Sequence, residues 1–229
     1  MHTDLSRRVE RRSVQDLSHQ ITDGMPTFPG DPEVTVASAT DFETDGYRVT
    51  RLGCGSHTGT HVDAPAHTES DGKTLDEFDL DRFVSETIRV DCRDLGARAR
   101  IPPNRVPTDD ADCVVFQTGW DEHWGTERYR DHPFLSPGTA ERCAERGFAV
   151  GTDTLNPDPT PSPNADPSEP DGFRAHHALL GDDCLIFENL TNLSAVPERF
   201  ELRAYPLPLG TDGAPVRAVG APLDGGGPQ

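Results

Sequence analysis

The chain has 229 residues, enough for one sizeable α/β domain that buries its core without disulfide or metal staples. Its 40 Asp and Glu against 21 Lys and Arg give a formal net charge of −19, a surface that repels nucleic acid and anionic membranes, so neither is expected as a partner. Lys73 is the only lysine and hydrophobic residues make up 33%, a balance expected of adaptation to molar salt, where a Debye length of roughly 3 Å screens self-repulsion. Folding is then expected to weaken at low ionic strength.

Residues 1–15 read as an N-terminal extension to a domain over 16–222, with a flexible tail over 223–229. The opening "MHTDLSRRVERRS" lacks the apolar core of a signal peptide, and no run approaches the roughly 20 apolar residues of a membrane helix, so a cytoplasmic location is expected. Next comes "DLSH", whose His19 is expected to be structural and to hydrogen-bond a strand end. In "PTFPGDP" the ring of Phe28 either lies against a substrate ring or fills the core; both remain open. Cys54, Cys92, Cys113, Cys143 and Cys184 are odd in number and scattered, with no C-x-x-C spacing. That argues against a disulfide framework and a thiolate zinc site and for mostly buried, reduced thiols.

The run "HTGTHVDAPAH", His57 to His67, concentrates imidazole and carboxylate, donors suited to zinc, manganese or iron(II). In a straight strand His57 and His61 would stand about 13 Å apart, at roughly 3.3 Å per residue, too far for one ion. On a helix Asp63 would lie about 240° round from His57. The chain must therefore bend between the histidines, and Gly59 is where a bend is least costly. These constraints predict a turn at Thr58 to Thr60 and an irregular segment ended by Pro65.

"TLDEFDLDRFV" is expected to supply one or two helical turns, with Leu75, Phe78 and Leu80 or Phe83 as apolar contacts. Strands are expected at Thr87 to Cys92, Asp112 to Gly119, Gly147 to Asp153 and Cys184 to Leu190, all rich in β-branched and aromatic residues. Trp120 and Trp124 either line a pocket or serve core packing or a dimer contact. Ser136 to Gly147 carries agreeing helix signals, with Ser136 as N-cap, Pro137 at the first position and Gly147 past the end. Asp153 reads as a loop-shaping carboxylate rather than a ligand. The proline- and acid-rich stretch from Asn156 to Gly172 reads as a long exposed loop, either a lid or a plain insertion. Glu188 follows an apolar run where a lone carboxylate is costly to bury, so a cation partner is expected, either a metal or an arginine such as Arg174. The fold class is α/β, a single domain with a mixed β-sheet core and flanking helices.

The run from His57 to His67 matches the signature H-x-G-T-H-x-D-x-P-x-H, and the chain resembles the metal-dependent cyclase-like family, which includes bacterial kynurenine formamidases and isatin hydrolases. The likeness extends through "DLSHQITDGMPTFPGDPEV", "QTGW", "GTDTLNPD" and "HHALLGDDCLIFENLTNL", roughly Asp16 to Pro206. It implies a swivelling β/β/α type of fold. It implies that His57, His61 and Asp63 hold one metal, that Asp63 bridges to a second held by His176 and Glu188, and that His67 is the catalytic proton-transfer residue. His176 rather than His177 fits the family's H-x-x-L-L. Zinc or manganese, one or two ions per subunit, a homodimer or higher oligomer and a small-molecule amide substrate follow from the same likeness. The implied activity is an amidohydrolase, most concretely an arylformamidase acting on N-formylkynurenine, with metal-activated water as nucleophile and His67 as general acid/base. The alternatives are opening of a cyclic amide such as isatin, another cyclase-family reaction, or a non-catalytic metal- or ligand-binding protein. There is no G-x-S-x-G elbow, phosphate loop or dinucleotide fingerprint to support a serine hydrolase or a nucleotide enzyme.

Overall fold

In the computed structural model, which describes residues 14–223, the strands run in chain order as β1 Gln15–Asp16, β2 Thr35–Thr40, β3 Val49–Gly53, β4 His61–Asp63, β5 Val84–Asp91, β6 Arg100–Ile101, β7 Cys113–Gln117, β8 Phe134–Leu135, β9 Ala149–Thr152, β10 Ile186–Glu188, β11 Arg199–Arg203, β12 Gly213–Pro215 and β13 Val219–Ala221. The α-helices are α1 Phe42–Asp45, α2 Pro137–Glu145 and α3 Arg174–Leu180. The extension expected over 1–15 and the tail over 223–229 fall almost wholly outside the described residues, although Gln15 already pairs with Gly220.

Nine strands form one curled mixed sheet in the order β1-β13-β11-β5-β7-β9-β10-β4-β12. Its centre, β5, β7, β9 and β10, is parallel, and antiparallel strands extend it on both sides. Every residue of β7 is buried, as expected of a strand covered on both faces. By the two-residue period, Val114 and Phe116 face the layer of α2 and α3, against Ala140, Cys143 and Leu179. Cys113 and Val115 face the opposite cluster, with Phe187, Phe200 and Leu202. Truncating a fully buried phenylalanine in either cluster costs about 3–5 kcal/mol.

The helix expected after Ser136 forms as α2, and the Ser136 hydroxyl accepts from the Thr139 N–H at 3.3 Å. All four expected strands form within their bounds, except that β5 starts earlier, at Val84. Among the described residues no helix is long and apolar enough to cross a membrane. Cys92, Cys113, Cys143 and Cys184 are buried, while Cys54 is exposed.

Three expectations need correction. The segment after the histidine turn is not irregular: His61–Asp63 is β4, hydrogen-bonded between β10 and β12, and Pro65 opens a 3₁₀ turn rather than merely ending the strand. "TLDEFDLDRFV" makes two short 3₁₀ turns, Leu75–Glu77 and Leu80–Phe83, in which Leu75 and Phe83 are buried and Leu80 is 68% exposed. Each turn is too short for helical periodicity to select a face. The stretch 156–172 is not exposed throughout. Asn156, Asp158 and Thr160 are buried, and the exposed remainder is pinned where the Arg98 guanidinium pairs with Glu169 and reaches the Thr160 carbonyl.

Candidate metal centre

The bend between the histidines falls where expected, with Gly59 at φ 61°, a left-handed conformation in which a side chain would be strained. Two groups hold it. The Asn189 amide donates to the Gly59 carbonyl at 3.0 Å, and the Thr60 hydroxyl donates to the Asn189 carbonyl at 2.6 Å. The bend brings His57 back beside β4. On β4, His61 and Asp63 share a face two residues apart, and Glu188 of β10 stands directly opposite His61 in the antiparallel register. His176 enters from α3.

Asp63 is the hub. Its Oδ1 lies 2.7 Å from His57 Nδ1 and 3.2 Å from His61 Nε2, and its Oδ2 lies 3.7 Å from His176 Nε2. Glu188 adds Oε2 at 3.2 Å from His61 Nε2 and Oε1 at 3.2 Å from His176 Nε2. Glu188 thus meets His61 and His176 rather than Arg174, which leaves a metal as the cation partner of the two that were expected. His176, not its neighbour, enters the cluster; exposed His177 pairs with Glu69 at 2.7 Å.

The ring edges facing away from the cluster are occupied. His61 Nδ1 lies 2.8 Å from the Gly59 carbonyl, and His176 Nδ1 lies 2.7 Å from Asp158 Oδ2. Both acceptors require N–H at Nδ1, which leaves Nε2 turned inward as a lone-pair donor. Asp158 also receives the backbone N–H groups of Ala175 and His176 at the start of α3. On the other side, His57 Nε2 is 2.8 Å from Asp212 Oδ2, and His67 Nδ1 is 3.4 Å from the same oxygen.

The residues fit a divalent cation. His61 Nε2, Asp63 Oδ2 and Glu188 Oε1 are buried and lack a properly directed hydrogen-bond partner, which is costly unless an ion takes their lone pairs. His57, His61 and Asp63 form one group whose donor atoms all lie within 4.8 Å of one another, and Asp63, His176 and Glu188 form another. Electrostatics agree. Burial opposes charge on His61 and His176, yet Asp63 and Glu188, joined at His176 by Asp158, hold both rings well above the usual imidazole value. Burial likewise opposes charge on Asp63, but His61 and His57 hold it well below the carboxylate range. The field that would hold a proton on these rings is the field that would hold a metal ion.

Beside the cluster opens a cavity of about 380 Å³ whose lining includes Phe28, Phe173, Asn156, His67 and His176. The Phe28 and Phe173 rings in its lining stand 6.1 Å apart. Phe28 lines this cavity and also packs against the buried cluster of Trp120, Tyr129 and Leu155. Phe173 went unnoticed in the sequence; its φ of 53° is uncommon for an aromatic residue and is the kind of backbone outlier found at ligand sites. The His67 side chain is 32% exposed, and burial holds its pKa below the usual imidazole value. Neither tryptophan lines the cavity: Trp120 is core, and Trp124 stacks on His19 at 3.9 Å. It is the His19 backbone N–H, not its ring, that bonds outward, to Thr60 Oγ1. Asp153 shapes a loop, receiving Thr118 and Gly119 N–H groups. Asp158, Asn189 and Asp212 were missed.

Known proteins resemble the chain in sequence and in fold. The kynurenine formamidase of Salinibacter ruber (strain DSM 13855 / M31) is 33% identical over 215 residues, spanning 89% of this chain and 95% of that one. An isatin hydrolase solved with the product analogue thioisatinate has the same fold, with a TM-score of 0.80 at 22% identity over 91% of each chain. A structure described as a potential metal-dependent hydrolase with cyclase activity matches with a TM-score of 0.73 at 28% identity, over 91% of this chain and 96% of that one. The family described as putative cyclase matches residues 15–159, and the chain belongs to that family.

Proposed function

We propose that this protein is a metal-dependent amidohydrolase whose substrate is an aryl formamide, most concretely N-formylkynurenine, cleaved with water to kynurenine and formate. The observation that carries the proposal is the convergence of three unpartnered buried donors, on His61, Asp63 and Glu188, beside a cavity lined by Phe28, Phe173 and His67. The similarity to a kynurenine formamidase over nearly the whole of both chains supports the substrate class.

His57, His61, Asp63, His176 and Glu188 would hold the metal, zinc or manganese by donor type, with Asp63 offering an oxygen to each side for one ion or two. Bound there, a divalent ion supplies Lewis acidity, polarising a carbonyl and making water a nucleophile near neutral pH. Phe28 and Phe173, in the cavity lining, orient the aryl ring and so present the formyl group to the cluster. His67, kept neutral by burial, takes the proton released as water adds to the formyl carbon. It returns that proton to the aryl nitrogen as the C–N bond breaks, so the amine leaves neutral.

The test is hydrolysis of N-formylkynurenine by purified protein in molar KCl, with zinc or manganese supplied and chelator as control. Fast turnover abolished by chelator is expected. No turnover by folded, metal-loaded protein would discard this substrate. The fold shared with an isatin hydrolase makes cyclic amides the next compounds to assay.

A further inference from the structure

The Asp212 carboxylate lies behind His57 as Asp158 lies behind His176. Its Oδ2 is 2.8 Å from His57 Nε2, so the opposite ring edge, Nδ1, faces Asp63 Oδ1 at 2.7 Å. The same oxygen is 3.4 Å from His67 Nδ1, and the two imidazoles lie 3.9 Å apart at 38°. One carboxylate thus touches both the outermost metal-ligand candidate and the candidate proton carrier.

The backbone delivers it there independently of its side chain. The Asp212 carbonyl accepts from Ala64 N–H at 2.8 Å, and β12, starting at Gly213, pairs with β4 in the register Gly213↔Asp63. Gly213 also clears the space for the ring: a Cβ there would fall 2.7 Å from His57 Cε1. The Asp212 side chain is 38% exposed, and half-exposed ion pairs add little to folding stability. The carboxylate is therefore placed to set ring chemistry rather than to hold the fold.

We infer that Asp212 is a positioning residue: by accepting the Nε2–H of His57 it fixes that ring with Nδ1 toward the metal, and it steadies His67 beside it. Carboxylates behind ligating histidines raise ligand basicity and fix the tautomer, and their loss typically lowers metal affinity 10–100-fold. The inference rests on the reading of His57 as a ligand and is independent of which substrate is cleaved.

The experiment uses zinc-loaded full-length protein and no substrate. Chelator competition measures zinc affinity for wild type, Asp212→Asn and Asp212→Glu, and ¹⁵N spectra of the wild type report the His57 tautomer. The Asn variant is expected to bind zinc about 10–100-fold more weakly at unchanged stoichiometry, with partial recovery in the Glu variant, and wild-type His57 to carry its proton on Nε2. Unchanged affinity in the Asn variant would overturn the inference. So would loss of a whole equivalent of zinc, which would make Asp212 a ligand, or a wild-type proton on Nδ1. The tautomer measurement needs no variant to fold. Inactivity toward N-formylkynurenine would sink the substrate assignment and leave these outcomes readable.

Discussion

Two histidines of the cluster, His176 and His57, are backed by carboxylates in the same way but are embedded differently. Asp158 and His176 have side chains only 4% exposed, and Asp158 also receives two backbone N–H groups of α3, so the inner wall forms as a consequence of folding. His57 is 15% exposed, its partner Asp212 is 38% exposed, and both lie beside His67. The first wall is buried and tied into α3, whereas the second is partly open to solvent. Removing groups from one wall at a time tests that division.

The largest effect is expected from His61→Ala, which removes the ring touching both Asp63 and Glu188: metal content and turnover should vanish together, as metal analysis alongside the assay will tell. Retained metal would show the ligand set to be wrong. His67→Ala, on the open side, should keep its metal and lose turnover by about 10²–10⁴. Unchanged turnover removes His67 from the chemistry.

Acid should loosen the anchoring of the 156–172 segment through His132. His132 is buried, with Nδ1 2.8 Å from the Pro133 carbonyl and Nε2 2.8 Å from Thr160 Oγ1, at the root of the 156–172 segment. Burial pushes its pKa down from 6.5 to about 4, so the folded state requires the neutral ring while the unfolded chain accepts a proton more readily. Its contribution is full above about pH 6.5 and is lost as pH falls toward 4, by about 3 kcal/mol in all. Urea unfolding at pH 7 and pH 4.5, wild type against His132→Gln, checks this; the variant should show the shallower loss, and parallel curves would refute it.

Asp158→Ala leaves His176 and the α3 N–H groups without their acceptor, and the same unfolding assay should show a cost of about 1–3 kcal/mol. If Asp212→Asn costs as much, the distinction between the walls fails. The smallest change is expected from Phe173→Ala. The loss of one aromatic contact is expected to raise KM several-fold, about 1 kcal/mol, with kcat nearly kept. A kcat loss with KM unchanged would place Phe173 elsewhere in the mechanism.

What the sequence by itself determined about this protein is what short range can encode. The bend at Gly59 follows from the spacing of His57, His61 and Asp63; the start of α2 follows from Ser136 and Pro137; the buried strand β7 follows from an unbroken apolar run. Glu188 stood out because a carboxylate on an apolar strand has to be compensated wherever that strand goes. The 3₁₀ turns around Leu75 and Phe83 did not stand out as such, because each is shorter than the helical period. Only the tertiary structure decided which carboxylates stand behind the histidines. Asp212 lies 155 residues from His57 and reaches it through the pairing of β12 with β4, while Asp158 reaches His176 through the fold-back of a loop whose composition signals only exposure. In a chain with 40 acidic residues no local feature distinguishes these two, since their meaning lies in strand register and loop path, which long-range hydrogen bonding and core packing set.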